Sequence, residues 1–262
     1  MIDLSRNRSL IRRALACLGV LSVFLLAGCQ TDPQTTLAPT THFADDIQFL
    51  LKLTFFAACG VFFVVEGALV YILFRYRRRR TDPAMPPQIH GNTPVEIIWT
   101  IIPAVLLAVV AAYTIPIIFS TQAPPPQNSL PITVVGHQWW WEFDYPTLGV
   151  TTANEVHMPV GQTAAFTLDS ADVMHSFWLP RLGGKRDVIP NHANTLWWAP
   201  NEIGTTPGQC AQFCGTSHAN MRMIAVVQSQ SDFNSWVAAQ KAAPAQPTDG
   251  AAADGRAVFA RS

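Results

Sequence analysis

Residues 210–221 read CAQFCGTSHANM. Two cysteines stand four apart, a histidine follows four later, and a methionine three after that. Outside the cytoplasm, the default fate of two nearby thiols is a disulfide. A disulfide, however, needs neither His218 nor Met221. Zinc accepts thiolate and imidazole, but a thioether is a poor zinc ligand. Thiolate, imidazole and thioether together suit copper, and a histidine–cysteine set with a weak axial methionine is the blue-copper arrangement. Copper-binding sandwiches of that type take a further histidine from an earlier strand end, and the candidate here is His175 in SADVMHSFWLP. Two thiolates are one more than a mononuclear blue-copper site uses. On residue types alone, disulfide and copper site both stay open.

The rest of the chain says on which side of a membrane this loop lies. Of its 262 residues 49% are hydrophobic and only 13% charged, which leans toward a membrane protein with a folded extramembrane part. Arg6, Arg8, Arg12 and Arg13 precede an apolar run ending in Leu26-Ala27-Gly28-Cys29. That is an export signal over residues 1–28. Its LAGC ending resembles a bacterial lipoprotein box, with Cys29 as the lipidated residue; a plain signal or short anchor is the alternative. Residues 29–48 then read as an external tether.

Two apolar stretches, about 50–74 and 95–119, are long enough to cross a bilayer, which takes about 20 residues. They form a hairpin over residues 49–121. RYRRRR at 75–80 abuts the first span, and the positive-inside rule places it in the cytoplasm. Nucleic acid is a poor partner for such a run. Cys29 and everything beyond residue 120 therefore lie outside, in agreement with the export signal. Glu66 falls inside the first span. Charge there costs at least ~2.5 kcal/mol on insertion scales, so it is expected to face a partner or water. Glu96 opens the second span, where a carboxylate also favours a helix N-terminus.

After QAPPPQ (122–127) the pattern changes to short β-branched and aromatic runs bounded by Gly, Pro, Asn and Asp. PITVVGHQWWWEFDY, TTANEVHMPVG, TAAFTLDSADVMHSFWLP, NTLWWAP and MIAVVQS predict an all-β sandwich over 128–230. On a continuous strand, Trp139 and Trp141 would share a face and Trp140 take the other. SDFNSWVAAQKAA predicts a short helix, and PAQPTDGAAAD reads as linker.

With these parts in place, the chain resembles cytochrome c oxidase subunit II over nearly all of its mature length. That family's binuclear copper site, CuA, has Cys-x-Glu-x-Cys-x-x-x-His-x-x-Met with an upstream histidine in Asp-Val-x-His-Ser. Cys210, Cys214, His218, Met221 and His175 match by position. HGNTPVEIIWTIIPA (90–104), GHQWWWEFDY (136–145) and LPRLGGKRDVIP (179–190) are similar to the second helix, the aromatic segment and the loop facing the catalytic subunit. The resemblance implies a two-helix transmembrane hairpin followed by a cupredoxin-like β-sandwich. It implies two copper ions bridged by both thiolates, with one histidine on each and Met221 and the carbonyl of residue 212 completing the pair. Trp139 would receive electrons from a c-type cytochrome, and Glu96 would lie at the mouth of a proton path in the partner subunit.

One departure stands out: Gln212 replaces the family's glutamate. A carbonyl survives any side chain, but magnesium favours charged oxygen, so the case for that ion is weakened. Residues 231–262 end in DGRAVFARS, which resembles the opening of a cytochrome c domain; no Cys-x-x-Cys-His follows, so no haem is expected in these residues. No histidine falls within 50–74 or 95–119. Oxygen reduction and proton pumping would belong to a haem- and CuB-bearing subunit I, with subunit III as a further partner, in the bacterial inner membrane. Glu142, Asp144, Asp169 and Asp172 are candidates for an acidic patch that steers a basic cytochrome.

Three other readings compete. A quinol oxidase subunit shares the architecture without the copper ligands. Nitrous oxide reductase has a similar motif on a soluble chain with a large propeller. A membrane-tethered copper-binding or copper-delivery protein would need the ligands but no electron-transfer partner.

Overall fold

Thr41 closes an extended stretch and opens a long helix: its hydroxyl accepts from Ala44 N at 3.0 Å, and Asp45 sits in the first turn. Both features favour a helix N-terminus. The computed structural model describes residues 34–77, 90–243 and 250–259, with positions 16, 19 and 88. The stretch read as an export signal, apart from positions 16 and 19, lies outside the described residues, as do Cys29 and the arginines at 78–80.

Helix α1 (His42–Arg75) starts inside the stretch read as tether. At 34 residues it is about 51 Å long, well beyond a hydrocarbon core of about 30 Å. Its first turns pack on the β domain, where Ala44 is buried and Phe43 packs against the core. The preceding residues are tied down too. Thr40 N donates to Arg181 O at 2.9 Å, Asn201 N donates to Thr40 O at 3.0 Å, and Arg181 Nε donates to Ala38 O at 2.8 Å.

Helix α2 (Thr93–Gln122) runs unbroken through Pro103 and Pro116. Asn92 caps it by accepting from Val95 N, and Glu96 Oε1 accepts in return from Asn92 N at 3.0 Å. This reciprocal arrangement satisfies two free helix-end donors. Both helices are long and apolar enough to span a membrane. Phe49 of α1 meets Tyr113 of α2 edge to face, 5.4 Å between centroids. Glu66 lines a cleft of about 510 Å³ on this hairpin, with Thr54, Phe62 and Leu106 among its neighbours.

The β domain is a sandwich of two five-stranded sheets. One holds β1 (Leu130–His137), β2 (Trp140–Tyr145), β3 (Val150–Ala153), β5 (Ala164–Ser170) and β8 (Asn194–Trp198) in the order β3-β2-β1-β5-β8. The other holds β4 (Glu155–Pro159), β6 (His175–Trp178), β7 (Arg186–Val188), β9 (Gly204–Cys210) and β10 (Arg222–Gln228) in the order β4-β10-β9-β6-β7. Alternation puts Leu130, Ile132 and Val134 of β1 inward. Trp141, Phe143, Phe166, Phe177 and Trp198 fill the space between the sheets. Each such ring contributes about 1.5–3 kcal/mol of burial.

Two differences from the sequence reading bear on the site. The run PITVVGHQWWWEFDY is a hairpin, not one strand, and Trp139 lies in its turn. It therefore shares no strand face with Trp141, which is wholly buried. Strand β9, GTTPGQC, falls outside the runs that read as strands, because Gly and Pro argue against a central strand. Pro207 is tolerated since β6 pairs only with Gln209 and Cys210, leaving Pro207 without a ladder partner on that side.

Helix α3 (Gln230–Lys241) is capped by Ser229, whose hydroxyl accepts from Asp232 N at 3.1 Å. It docks through buried Phe233 and through Trp236, which stacks on His157 at 4.1 Å. Residues 250–254, read as linker, open helix α4 (Gly250–Phe259), consistent with the high helix propensity of Ala251–Ala253.

Candidate metal centre

Three strand ends meet at one end of the second sheet. β6 opens with His175, β9 closes with Cys210, and β10 opens directly after Met221. Register holds them together: Phe177 pairs with Cys210, and Cys210 N donates to Met221 O at 2.9 Å. The loop 211–221 is thus pinned at both ends by the ladder, and its 3₁₀ turn, His218–Asn220, brings His218 back over Cys214.

The side chains converge. Cys210 Sγ and Cys214 Sγ are 3.9 Å apart, nearly twice a disulfide's length of about 2.05 Å, and both cysteines are free. His175 Nδ1 lies 3.9 Å from Cys210 Sγ, and His218 Nδ1 lies 3.5 Å from Cys214 Sγ. Met221 Sδ is 3.7 Å from Cys214 Sγ, and the carbonyl of Gln212 is 3.2 Å from Cys210 Sγ. Two donors sharing one metal at about 2.0–2.3 Å can be no more than roughly 4.6 Å apart. Every neighbouring pair meets that limit. His175, Cys210, Cys214 and Met221 are buried, so the donors face one another inside the protein. A Cys/His cluster with a thioether at this spacing fits copper.

Electrostatics separate the two thiols. Burial raises the Cys210 pKa, but hydrogen bonding with His175 and with backbone outweighs it and holds the thiol down to about 6. Burial and then the charge on Cys210 push Cys214 up to about 12. Burial lowers the His175 pKa, and hydrogen bonds to Cys210 and Asp172 reverse the sign, so that it ends above the ordinary imidazole value. Thiols and imidazoles ligate a metal in their deprotonated forms, so metal uptake at this cluster would release protons.

Trp139 sits at the rim. Its Nε1 donates to the carbonyl of Cys214 at 3.2 Å, and the same oxygen accepts from Gln138 Nε2 at 2.7 Å. Gly215, at φ +122°, leaves room for both: a side chain there would meet Gln138 Nε2 and the Trp139 ring at 3.1–3.2 Å. Gly136 plays the same part for His175, since a Cβ would stand 2.7 Å from the ring's Cδ2. Gly136 and Gln138 belong to the segment GHQWWW, but nothing in their residue type marks them as parts of the site.

The carboxylates considered for a docking patch are each engaged locally. Glu142 Oε2 is 3.3 Å from His137 Nε2, Asp144 accepts from Thr151 Oγ1 at 3.1 Å, and Asp169 accepts from Ser170 N at 2.8 Å. Asp172 turns toward His175. Glu96 lies at the far end of α2, serving as a cap.

Two family models match the chain. The transmembrane domain of cytochrome C oxidase subunit II matches residues 34–117, and the periplasmic domain of the same subunit matches residues 148–229. Cytochrome c oxidase subunit 2 of Alkalihalophilus pseudofirmus is 38% identical over 247 residues, covering 92% of this chain and 72% of that protein. The protein of the same name from Bacillus sp. PS3 is 33% identical over 271 residues, covering 98% and 76%. Quinol oxidase subunit 2 of Bacillus spizizenii is 32% identical over 224 residues, covering 82% and 68%. Among solved structures, the periplasmic domain of cytochrome oxidase subunit II from Bradyrhizobium japonicum is 32% identical. It covers 44% of this chain and 96% of that one, with a TM-score of 0.43. Two apolar helices, a cupredoxin-like sandwich with a copper-fitting cluster, and the family and relative matches place the chain in the cytochrome c oxidase subunit II family.

Proposed function

We propose that this chain is the electron-accepting subunit of a respiratory haem–copper oxidase. It takes electrons singly from a c-type cytochrome and passes them to a haem in subunit I, where oxygen reduction is coupled to proton pumping. Two thiols, two imidazoles, a thioether and a backbone carbonyl converge, neighbour to neighbour, at 3.2–3.9 Å, and this carries the reading. A quinol oxidase has no use for that set. The ligands are Cys210, Cys214, His175, His218, Met221 and the carbonyl of Gln212, holding two coppers. When bound, such a pair supplies a one-electron store shared by two metals.

The chain's own residues do the rest. Ligands on strand ends of a rigid sandwich need move little between oxidation states, which suits fast transfer. Trp139 presents a half-buried indole at the rim and a direct hydrogen bond to the backbone of Cys214. Burial of the thiols excludes water from them. Gln212 is exposed and offers no charge to magnesium, so any such ion would depend on the partner subunit. Glu96, at the cytoplasmic end of α2, opens a proton path in subunit I. The domains are a signal at 1–28 with lipidation at Cys29, the hairpin, and the copper sandwich on the periplasmic face of a bacterial inner membrane. Subunit III completes the assembly.

The test is purification of the assembled complex with a tag on this chain. The reading expects co-purification with a haem-bearing membrane subunit, and oxidation of a reduced c-type cytochrome that Cys214→Ser abolishes. A copper-loaded chain that purifies without any haem protein would point to a tethered copper-binding protein instead.

A further inference from the structure

The loop between β5 and β6 carries a carboxylate whose two oxygens both turn inward. Asp172 Oδ1 is 2.8 Å from His175 Nε2 and accepts from Val173 N at 2.6 Å. Asp172 Oδ2 accepts from Gln138 N at 2.7 Å, one residue before Trp139. The loop itself is braced: Ser170 Oγ donates to Val173 O at 2.5 Å, and Ala171 N donates to Gly136 O at 3.0 Å. From the other side, Gln138 Nε2 and Trp139 Nε1 close on the carbonyl of Cys214. A continuous chain of hydrogen bonds thus runs from His175 through Asp172 and the Gln138–Trp139 turn to Cys214.

We propose that Asp172 is a positioning residue that orients His175 for copper and ties to it the turn bearing Trp139. This rests on the functional reading above. The chemistry follows from donor and acceptor rules. An ionised carboxylate only accepts, so Nε2 of His175 must carry a proton. That leaves the Nδ1 lone pair free, and Nδ1 is the atom facing Cys210. Gly136 leaves the space that the ring occupies, since a Cβ there would stand 2.7 Å from its Cδ2, and Asp172 holds the ring at Nε2. A carboxylate on the far N–H also raises the basicity of a ligating imidazole, favouring the more oxidised metal.

The test compares the full-length chain, loaded with copper, with Asp172→Asn and Asp172→Ala. Asn keeps the shape and one acceptor, whereas Ala removes both. Expected are an upward shift of the reduction potential, larger for Ala than for Asn, and an altered nitrogen coupling of one histidine by electron–nuclear double resonance. Electron uptake from a reduced c-type cytochrome should slow in the same order. Should Ala fail to fold, the isosteric Asn variant alone decides. Variants that hold the same copper complement with unchanged potential and unchanged nitrogen coupling overturn the proposal and leave the functional reading standing. A parent chain that takes up no copper pair overturns both.

Discussion

The indole Nε1 of Trp139 donates to the carbonyl oxygen of Cys214 at 3.2 Å. The hydrogen bond links a rim aromatic to the backbone of a residue whose thiol lies 3.9 Å from its twin. Trp139→Phe keeps a ring and removes the bond. Copper content and its spectrum should be unchanged, while electron uptake from a reduced c-type cytochrome falls by more than roughly tenfold, equivalent to about 1.4 kcal/mol in the barrier. Stopped-flow reduction of the purified complex checks this; an unchanged rate would remove Trp139 from the path.

Gly136→Ala places a methyl 2.7 Å from the His175 ring. Either the ring tilts or β1 shifts, at a cost of about 1–3 kcal/mol. The expected outcome is a chain with a folded sandwich by circular dichroism, a lowered melting temperature and weakened copper retention on dialysis. Full copper retention with parental stability would show that the ring has more room than the contact implies.

Met221→Leu conserves volume at a fully buried position, so stability should change by less than about 1.5 kcal/mol. The thioether 3.7 Å from Cys214 Sγ is lost. Copper should still bind through thiolates and imidazoles, with a changed visible spectrum and reduction potential. An identical spectrum would mean that Met221 only packs.

Much of this site is legible in the sequence. Spacing alone groups Cys210, Cys214, His218 and Met221, because a short loop between paired strands cannot carry its residues far apart. The remote partner His175 needs the loop as context, since a histidine before an aromatic is usually packed. Less legible is whatever depends on one backbone turn. Three consecutive tryptophans look like strand, and the hairpin that sets Trp139 apart from buried Trp141 has no strong turn residue at Gln138. Strand β9 is hidden by Gly204, Pro207 and Gly208: Pro207 lies beyond the pairing of β6, and at Gly208 a Cβ would stand 2.7 Å from Trp178 O. The start of α1 at His42 reflects packing on the β domain, which hydropathy does not encode.

Helix α3 is held by a stacked pair, His157 and Trp236, 4.1 Å between centroids and 10° apart, with Tyr145 edge-on at 5.4 Å. Trp236→Ala should release the helix from the sandwich at a cost of roughly 2–3 kcal/mol, less than the about 3–5 of a fully buried tryptophan. Hydrogen exchange over Gln230–Lys241 should quicken while the copper spectrum stays as in the parent. Unchanged exchange would mean that Phe233 alone anchors the helix.

The most direct measurement is copper per chain together with the electron paramagnetic resonance spectrum of the full-length protein. The expected result is two coppers per chain sharing one unpaired electron over both metals. A single copper, or none with a Cys210–Cys214 disulfide that persists under reducing, copper-loading conditions, would contradict the binuclear centre on which the proposed function stands.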